Sequence, residues 1–183
     1  MKNVEIPESL YDVFGQKQSV IELSAILLFT AIGTFLVFYT YTMPEVVLSD
    51  WRMILGFVLI ADIFAGCLAN FTHGTNGYYA VREKNRLMFI LLHVHLLVIA
   101  WLLAGPLMPA VILWCYTLVA ALLVNALKGH KLQLFFAANM LFWGMCLLIL
   151  FQLPIWFLLT SLFFMIKVAF GFAVDHYPTA CDK

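Results

Sequence analysis

The sequence predicts an all-α integral membrane protein: a bundle of six transmembrane helices with short hairpin loops and both termini in the cytoplasm. Three observations predict it. The 183-residue chain is 64% hydrophobic and only 11% charged, with a mean hydropathy of +1.00, whereas an average soluble domain carries ~25% charged residues. Six apolar segments, roughly 21–43, 51–70, 86–106, 108–127, 131–151 and 153–173, each approach the ~20 residues a helix needs to cross the hydrocarbon of a bilayer. The basic residues collect on alternate connections, as cytoplasmic loops do.

Residues 1–20 are polar and mixed in charge. They lack the apolar core of a secretory signal and read as mature protein, a cytoplasmic N-terminal segment. Pro7 is placed to open a short helix ending near Gly15. Leu10, Tyr11, Val13 and Phe14 would then lie on the membrane surface; an ordered tail is the plainer alternative. Residues 21–177 form one six-helix domain, and 178–183 a cytoplasmic tail.

Turn chemistry separates the segments. Pro44 and Asp50-Trp51-Arg52 divide the first two, and Gly105, Pro106 and Pro109 divide the third and fourth. Lys128-Gly129-His130-Lys131 divides the fourth and fifth, and Gln152-Leu153-Pro154 the last pair. These last three turns are short enough to make antiparallel hairpins. An N-terminus in the cytoplasm puts Lys2, Lys17, Arg82, Lys84, Arg86, Lys128, Lys131 and Lys183 inside, eight of the ten basic residues. Only Arg52 is left outside, with Lys167 inside a helix, so the N-in, C-in orientation follows. It predicts a multi-pass protein of the cell membrane, with Trp51, Trp101 and Trp156 toward the outer face.

The composition also excludes. A formal net charge of zero gives no electrostatic case for nucleic acid. Cys67, Cys115, Cys146 and Cys181 form no CxxC or CxH spacing, so neither disulfides nor a zinc finger are expected. No internal repeat or linker is visible, and no residue pattern names a cofactor.

The polar residues inside the apolar segments point to a site. At ~1.5 Å per residue, Asp62 sits ~12 Å above the cytoplasmic end of the second helix, and His93 and His95 ~10–14 Å up the third. On the same scale Asn139 sits ~12 Å up the fifth helix and Lys167 ~9 Å up the sixth. Asp62, His93, Asn139 and Lys167 therefore reach one depth in the cytoplasmic half and are the candidate pocket. Asp62 is too short to reach the interface, and a lone charge in hydrocarbon costs several kcal/mol, so it must pair, with Lys167 or with His93. A purely structural ion pair is the competing explanation. His95 is two residues from His93, which turns it ~200° away on a regular helix; the two share a centre only if the helix deforms. Asp62, His93 and His176 are thus weak metal candidates. Small residues at 66, 69 and 171 allow close helix approach or leave room for a ligand.

A second polar layer lies below. Asn70, His73, Asn76, Arg82, Arg86, Asp175 and His176 form the candidate cytoplasmic mouth. The 71–85 loop is expected to order against 174–178, because its Asn, Thr, His and Tyr side chains offer partners to both. Arg82 and Arg86 suit a lipid phosphate or simple positive-inside anchoring.

Three functions fit: a protein that binds or transports a small solute or ion; a membrane-embedded enzyme, with or without a metal, acting on a lipid or isoprenoid; and an accessory subunit with no site. The bilayer is a partner in each, a small-molecule or lipid ligand in two, and a second copy or another subunit fits any. CDP-alcohol phosphatidyltransferases are excluded, because only Asp62 of their aspartate series is present before Asp175. Size, helix count and orientation resemble those of the S components of energy-coupling vitamin transporters. Those take substrate from outside, whereas the polar groups here crowd the inner half.

Overall fold

A computed structural model describes residues 3–41 and 48–177. Pro44, Cys181 and the 178–183 tail lie outside the described residues. Six helices are long and apolar enough to cross a membrane: Val20–Tyr41, Asp50–Ala69, Glu83–Leu102, Leu107–Ala126, Gln133–Leu150 and Ile155–Phe172. Six such helices fit a polytopic membrane protein. Helices dominate because a backbone in hydrocarbon must satisfy its own N–H and C=O groups.

In chain order the helices are α1 (Tyr11–Phe14), α2 (Val20–Tyr41), α3 (Asp50–Ala69), α4 (His73–Ala80), α5 (Glu83–Leu91), α6 (His95–Leu102), α7 (Leu107–Ala126), α8 (Gln133–Leu150) and α9 (Ile155–Met165). The third span is thus two helices, α5 and α6, interrupted at 92–94. The sixth continues past α9 as a π-helix over Ile166–Phe172.

The last span is the centre of the bundle. Its membrane window is 61% buried, against 17% for the first span, so the C-terminal helix is enclosed while α2 faces outward. The α9–π segment packs on α2, α3, α7 and α8. Phe157, Thr160, Ser161, Phe164 and Val168 on it are fully buried. The hairpins have the expected turns. Gly129 takes φ +77, and the tight links before α7 and α9 place Ala104 at φ 52 and Gln152 at φ 47. Pro106 and Pro154 sit at the caps opening α7 and α9, where the missing N–H costs no helical hydrogen bond.

Residues 3–19 amend the all-α expectation. Strands β1 (Asn3–Glu5) and β2 (Lys17–Ser19) pair antiparallel, with Val4 opposite Gln18. Between them a 3₁₀ turn over Glu8–Leu10 leads into α1, which ends at Gly15 with φ 68 and ψ −170. The short helix expected between Pro7 and Gly15 is present as α1. It docks on α4: Thr75 Oγ1 donates to Val13 O at 3.2 Å and Tyr79 OH to Asp12 O at 3.0 Å. Gln18, 2% exposed, donates to Phe14 O and Thr72 Oγ1, both at 2.7 Å. Burial, with Asp12 beside it, pushes the Tyr79 hydroxyl above its ordinary pKa.

The connection between the second and third spans is helical rather than a loop. Thr72 caps α4 by accepting from Thr75 N at 3.3 Å. Asn76 then ties α4 to the C-terminal segment, donating to Val174 O at 2.9 Å and accepting from His176 N at 3.0 Å. Tyr177 OH donates to Phe71 O at 2.8 Å. The N-terminal ribbon, α4 and residues 174–177 thus close one polar end. At the opposite end Trp51 and Trp101 lie 6.5 Å apart, Arg52 covers Trp101 at 5.3 Å, and Trp156 meets Tyr41 edge-on.

Candidate functional site

Asp62 on α3 and Lys167 on the π-helix meet beneath the polar end. Lys167 Nζ donates to Asp62 Oδ2 at 2.7 Å and to Asp62 O at 3.2 Å. The lysine side chain is 3% exposed, so its charge is enclosed; that of Asp62 is 35% exposed and opens outward. Gly66, one turn below Asp62, makes the approach possible: a Cβ there would lie 2.3 Å from Lys167 Cε. Asn70, another turn on, donates to Lys167 O at 3.1 Å. The π-helix gives this carbonyl an extra chance of a side-chain partner, because its wider turn departs from the i→i−4 ladder.

The interruption of the third span brings both histidines to the same place. Within a regular helix the His93 N–H would donate to Phe89 O; here it turns to Ile90 O at 3.3 Å. The released Phe89 carbonyl is taken by the His93 ring, Nδ1 at 2.5 Å. A carbonyl accepts only, so Nδ1 carries the hydrogen and neutral His93 presents Nε2 as an acceptor. His93 is 2% exposed and its Nε2 has no partner among the described residues. The other group freed by the break, His93 O, accepts from Trp114 Nε1 at 2.9 Å. His95, the first residue of α6, turns its Nε2 to within 3.5 Å of Asp62 Oδ2. The two imidazoles are 5.2 Å apart.

These groups line one cavity of about 220 Å³, bounded by Asp62, Gly66, Asn70, Phe89, His93, His95 and Lys167, with Asp12 and Val13 of the N-terminal segment over it. The volume accommodates roughly half a dozen waters at ~30 Å³ each. The cavity offers a carboxylate, an ammonium with one of its three hydrogens still uncommitted, an imidazole acceptor and a second imidazole beside the carboxylate. That set can hold a small polar molecule through both donors and acceptors, or exchange a proton along Asp62, His95 and His93.

The structure gathers some sequence-derived candidates and separates others. Asp62, His93 and Lys167 come together, and Asn70 joins them from the predicted mouth. Asn139 does not line this cavity: it is half-buried on α8, since equal depth does not imply the same face. His95, set apart by helical spacing, belongs in the site because the helix breaks. Asp12, Val13 and Phe89 were not readable as lining residues. Among the mouth candidates, exposed His73 rests its ring 4.9 Å from Tyr177, and Arg82 stacks over Tyr78 at 4.0 Å. Asn76 is structural glue between α4 and the C-terminal segment. Arg86 and Asp175 face a different cavity. His176 places Nε2 at 3.2 and 3.1 Å from the Phe170 and Gly171 carbonyls, and burial lowers its pKa from the ordinary 6.5.

Asp62, His93 and His176 therefore do not converge. Among the described residues no group of three or more His, Cys, Asp or Glu is placed to hold a metal ion. Cys67 is buried and free; Cys115 and Cys146 are exposed and free.

Comparison with protein-family models, with curated proteins and with solved structures gives no match, so the site is read from its own chemistry.

Proposed function

We propose that the chain is a multi-pass protein of the cell membrane, with both termini and the polar end in the cytoplasm, that binds and transports a small polar solute or ion through the Asp62–Lys167 cavity. One observation carries the reading. An ion pair with its lysine enclosed and two histidines, His93 Nε2 and His95 Nδ1 being without a partner among the described residues, line a single cavity where one spanning helix is broken and the facing one is a π-helix. Broken helices at the site are how many carriers bring backbone and side-chain groups to a solute inside the membrane, and π-helical turns concentrate at functional sites. Polar groups held in hydrocarbon depth are costly and point to function.

The solute best suited to the cavity carries hydrogen-bond donors for His93 Nε2 and Asp62, and an acceptor for the remaining Lys167 hydrogen. The N-terminal segment, with Asp12 and Val13 over the cavity, is placed to cover it on the cytoplasmic side. The enzyme reading has less support, because Asp175, His176 and His73, its other acid–base groups, lie outside the cavity.

Native mass spectrometry and metal analysis of the purified protein test the proposal. A soluble metabolite that co-purifies with the wild type and is lost from folded Asp62→Asn supports it. A stoichiometric metal and no metabolite would favour the enzyme instead.

A further inference from the structure

Arg86 is the largest fully buried side chain among the described residues, 1% exposed. It lies on α5 at the polar end of the third span. Its Nη2 donates to Ala173 O at 2.5 Å, but Nε and Nη1 have no partner among the described residues. Neither Asp175 nor Glu83, the carboxylates whose charge acts on it, forms an ion pair with it. A buried guanidinium with two idle nitrogens, three N–H donors between them, is expensive unless something completes its hydrogen bonds.

Two acceptors in the same cavity are also idle: the buried Asn125 Oδ1 and Asp175 Oδ1. The cavity, about 550 Å³, is lined by Glu83, Arg86, Leu87, Asn125, Lys128 and Asp175 among others, and shares no lining residue with the Asp62 cavity. It lies between the polar ends of the third and fourth spans. Leu87, 43% exposed, continues its wall toward the apolar surface.

Idle donors on Arg86 and idle acceptors on Asn125 and Asp175 around one cavity suit a ligand with both charges. We propose that this cavity binds a phosphate–ammonium zwitterion, the headgroup chemistry of phosphatidylethanolamine. The phosphate oxygens complete Arg86, with Lys128 beside them. The ammonium donates to Asn125 Oδ1 and Asp175 Oδ1. Arginine suits the phosphate because its planar donors are weakly hydrated and match anionic oxygens. The position at the ends of two spans makes a lipid the favoured source over soluble phosphoethanolamine.

The test is native mass spectrometry of delipidated wild-type protein, titrated separately with phosphatidylethanolamine, phosphatidylglycerol and O-phosphoethanolamine. The wild type is expected to retain one phosphatidylethanolamine at least ten-fold better than phosphatidylglycerol, which has the phosphate without the ammonium. Asn125→Leu, which removes one acceptor and leaves Arg86 in place, erases that preference; Arg86→Gln weakens both lipids. Lys17→Gln, at an exposed lysine of β2 outside this cavity's lining, changes neither. Binding of O-phosphoethanolamine without either lipid keeps the zwitterion and makes its source soluble. Equal retention of the two lipids in the wild type, an unchanged preference in folded Asn125→Leu, or no binding of any of the three overturns the proposal.

Discussion

Lys167 Nζ lies 2.7 Å from Asp62 Oδ2, joining two spans that stand 105 residues apart in sequence. The contact locks the central helix to α3. Removing one partner strands the other charge, whereas replacing both with neutral groups can be nearly neutral.

Lys167→Met is therefore expected to lower stability by about 2–4 kcal/mol, toward the low end of the range for broken buried pairs because Asp62 is partly open. The double variant Asp62→Asn, Lys167→Met recovers most of that loss in thermal melts. If the pair only fixes the bundle, the double variant also recovers solute binding. A double variant no more stable than Lys167→Met would show that the two charges do not stabilise each other.

Gly15 holds the N-terminal cover in place. Its φ of 68 and ψ of −170 lie in a region that is almost glycine-only, worth about 1–3 kcal/mol of strain for other residues. A Cβ there would also fall 2.2 Å from Gly74 O. Gly15→Ala is expected to lift the 12–19 segment from α4 while the spans stay folded. Hydrogen exchange reports this as faster exchange confined to 12–19 and 73–80; unchanged protection would show that the segment is held by other contacts.

His176 gives a pH dependence outside the spans. Burial depresses its folded pKa below the ordinary 6.5, with the Gly171 and Phe170 carbonyls and then Asp175 opposing and Arg86 adding to the shift. The unfolded chain then binds more protons between the two values, so stability rises with pH across that window. The contribution is complete above about pH 6.5 and is lost as pH falls toward the folded value. Melting temperature is expected to drop between pH 7.5 and 5.5, and His176→Gln to reduce the drop. An identical drop in the variant assigns it to other groups.

Orientation is tested by impermeant thiol labelling in intact cells, in a background without native cysteines. The exposed positions Lys84 and Lys131 border the polar end, and exposed Asp50 begins α3 at the other. Cysteine at 50 is expected to label, and cysteine at 84 or 131 only after lysis. The reverse pattern inverts the topology.

The six spans were legible because length and hydropathy alone define them. So was the meeting of Asp62 with Lys167: depth follows from counting residues, and a charge at that depth must find a partner. Azimuth was not legible. A spanning helix is apolar toward lipid and toward protein alike, so nothing in α8 told which way Asn139 faces. The break at 92–94 carries neither Pro nor Gly, the usual punctuation, so the sequence left the meeting of His93 and His95 conditional on a deformed helix, and that deformation is what the structure has. The β1–β2 ribbon was hidden for a different reason. Its strands are three residues each and depend on tertiary anchoring, such as that of Gln18 on Thr72, rather than on a local pattern.

The central claim is that the Asp62–His93–His95–Lys167 cavity binds a small polar solute. A thermal-shift panel of small amines, amino acids, polyols and monocarboxylates at millimolar concentration tests it, run in parallel on the wild type and on the folded double variant Asp62→Asn, Lys167→Met. The cavity predicts that at least one compound raises the wild-type Tm by several degrees and leaves the double variant unmoved. Shifts of equal size in both proteins, or no shift across the whole panel, would contradict it.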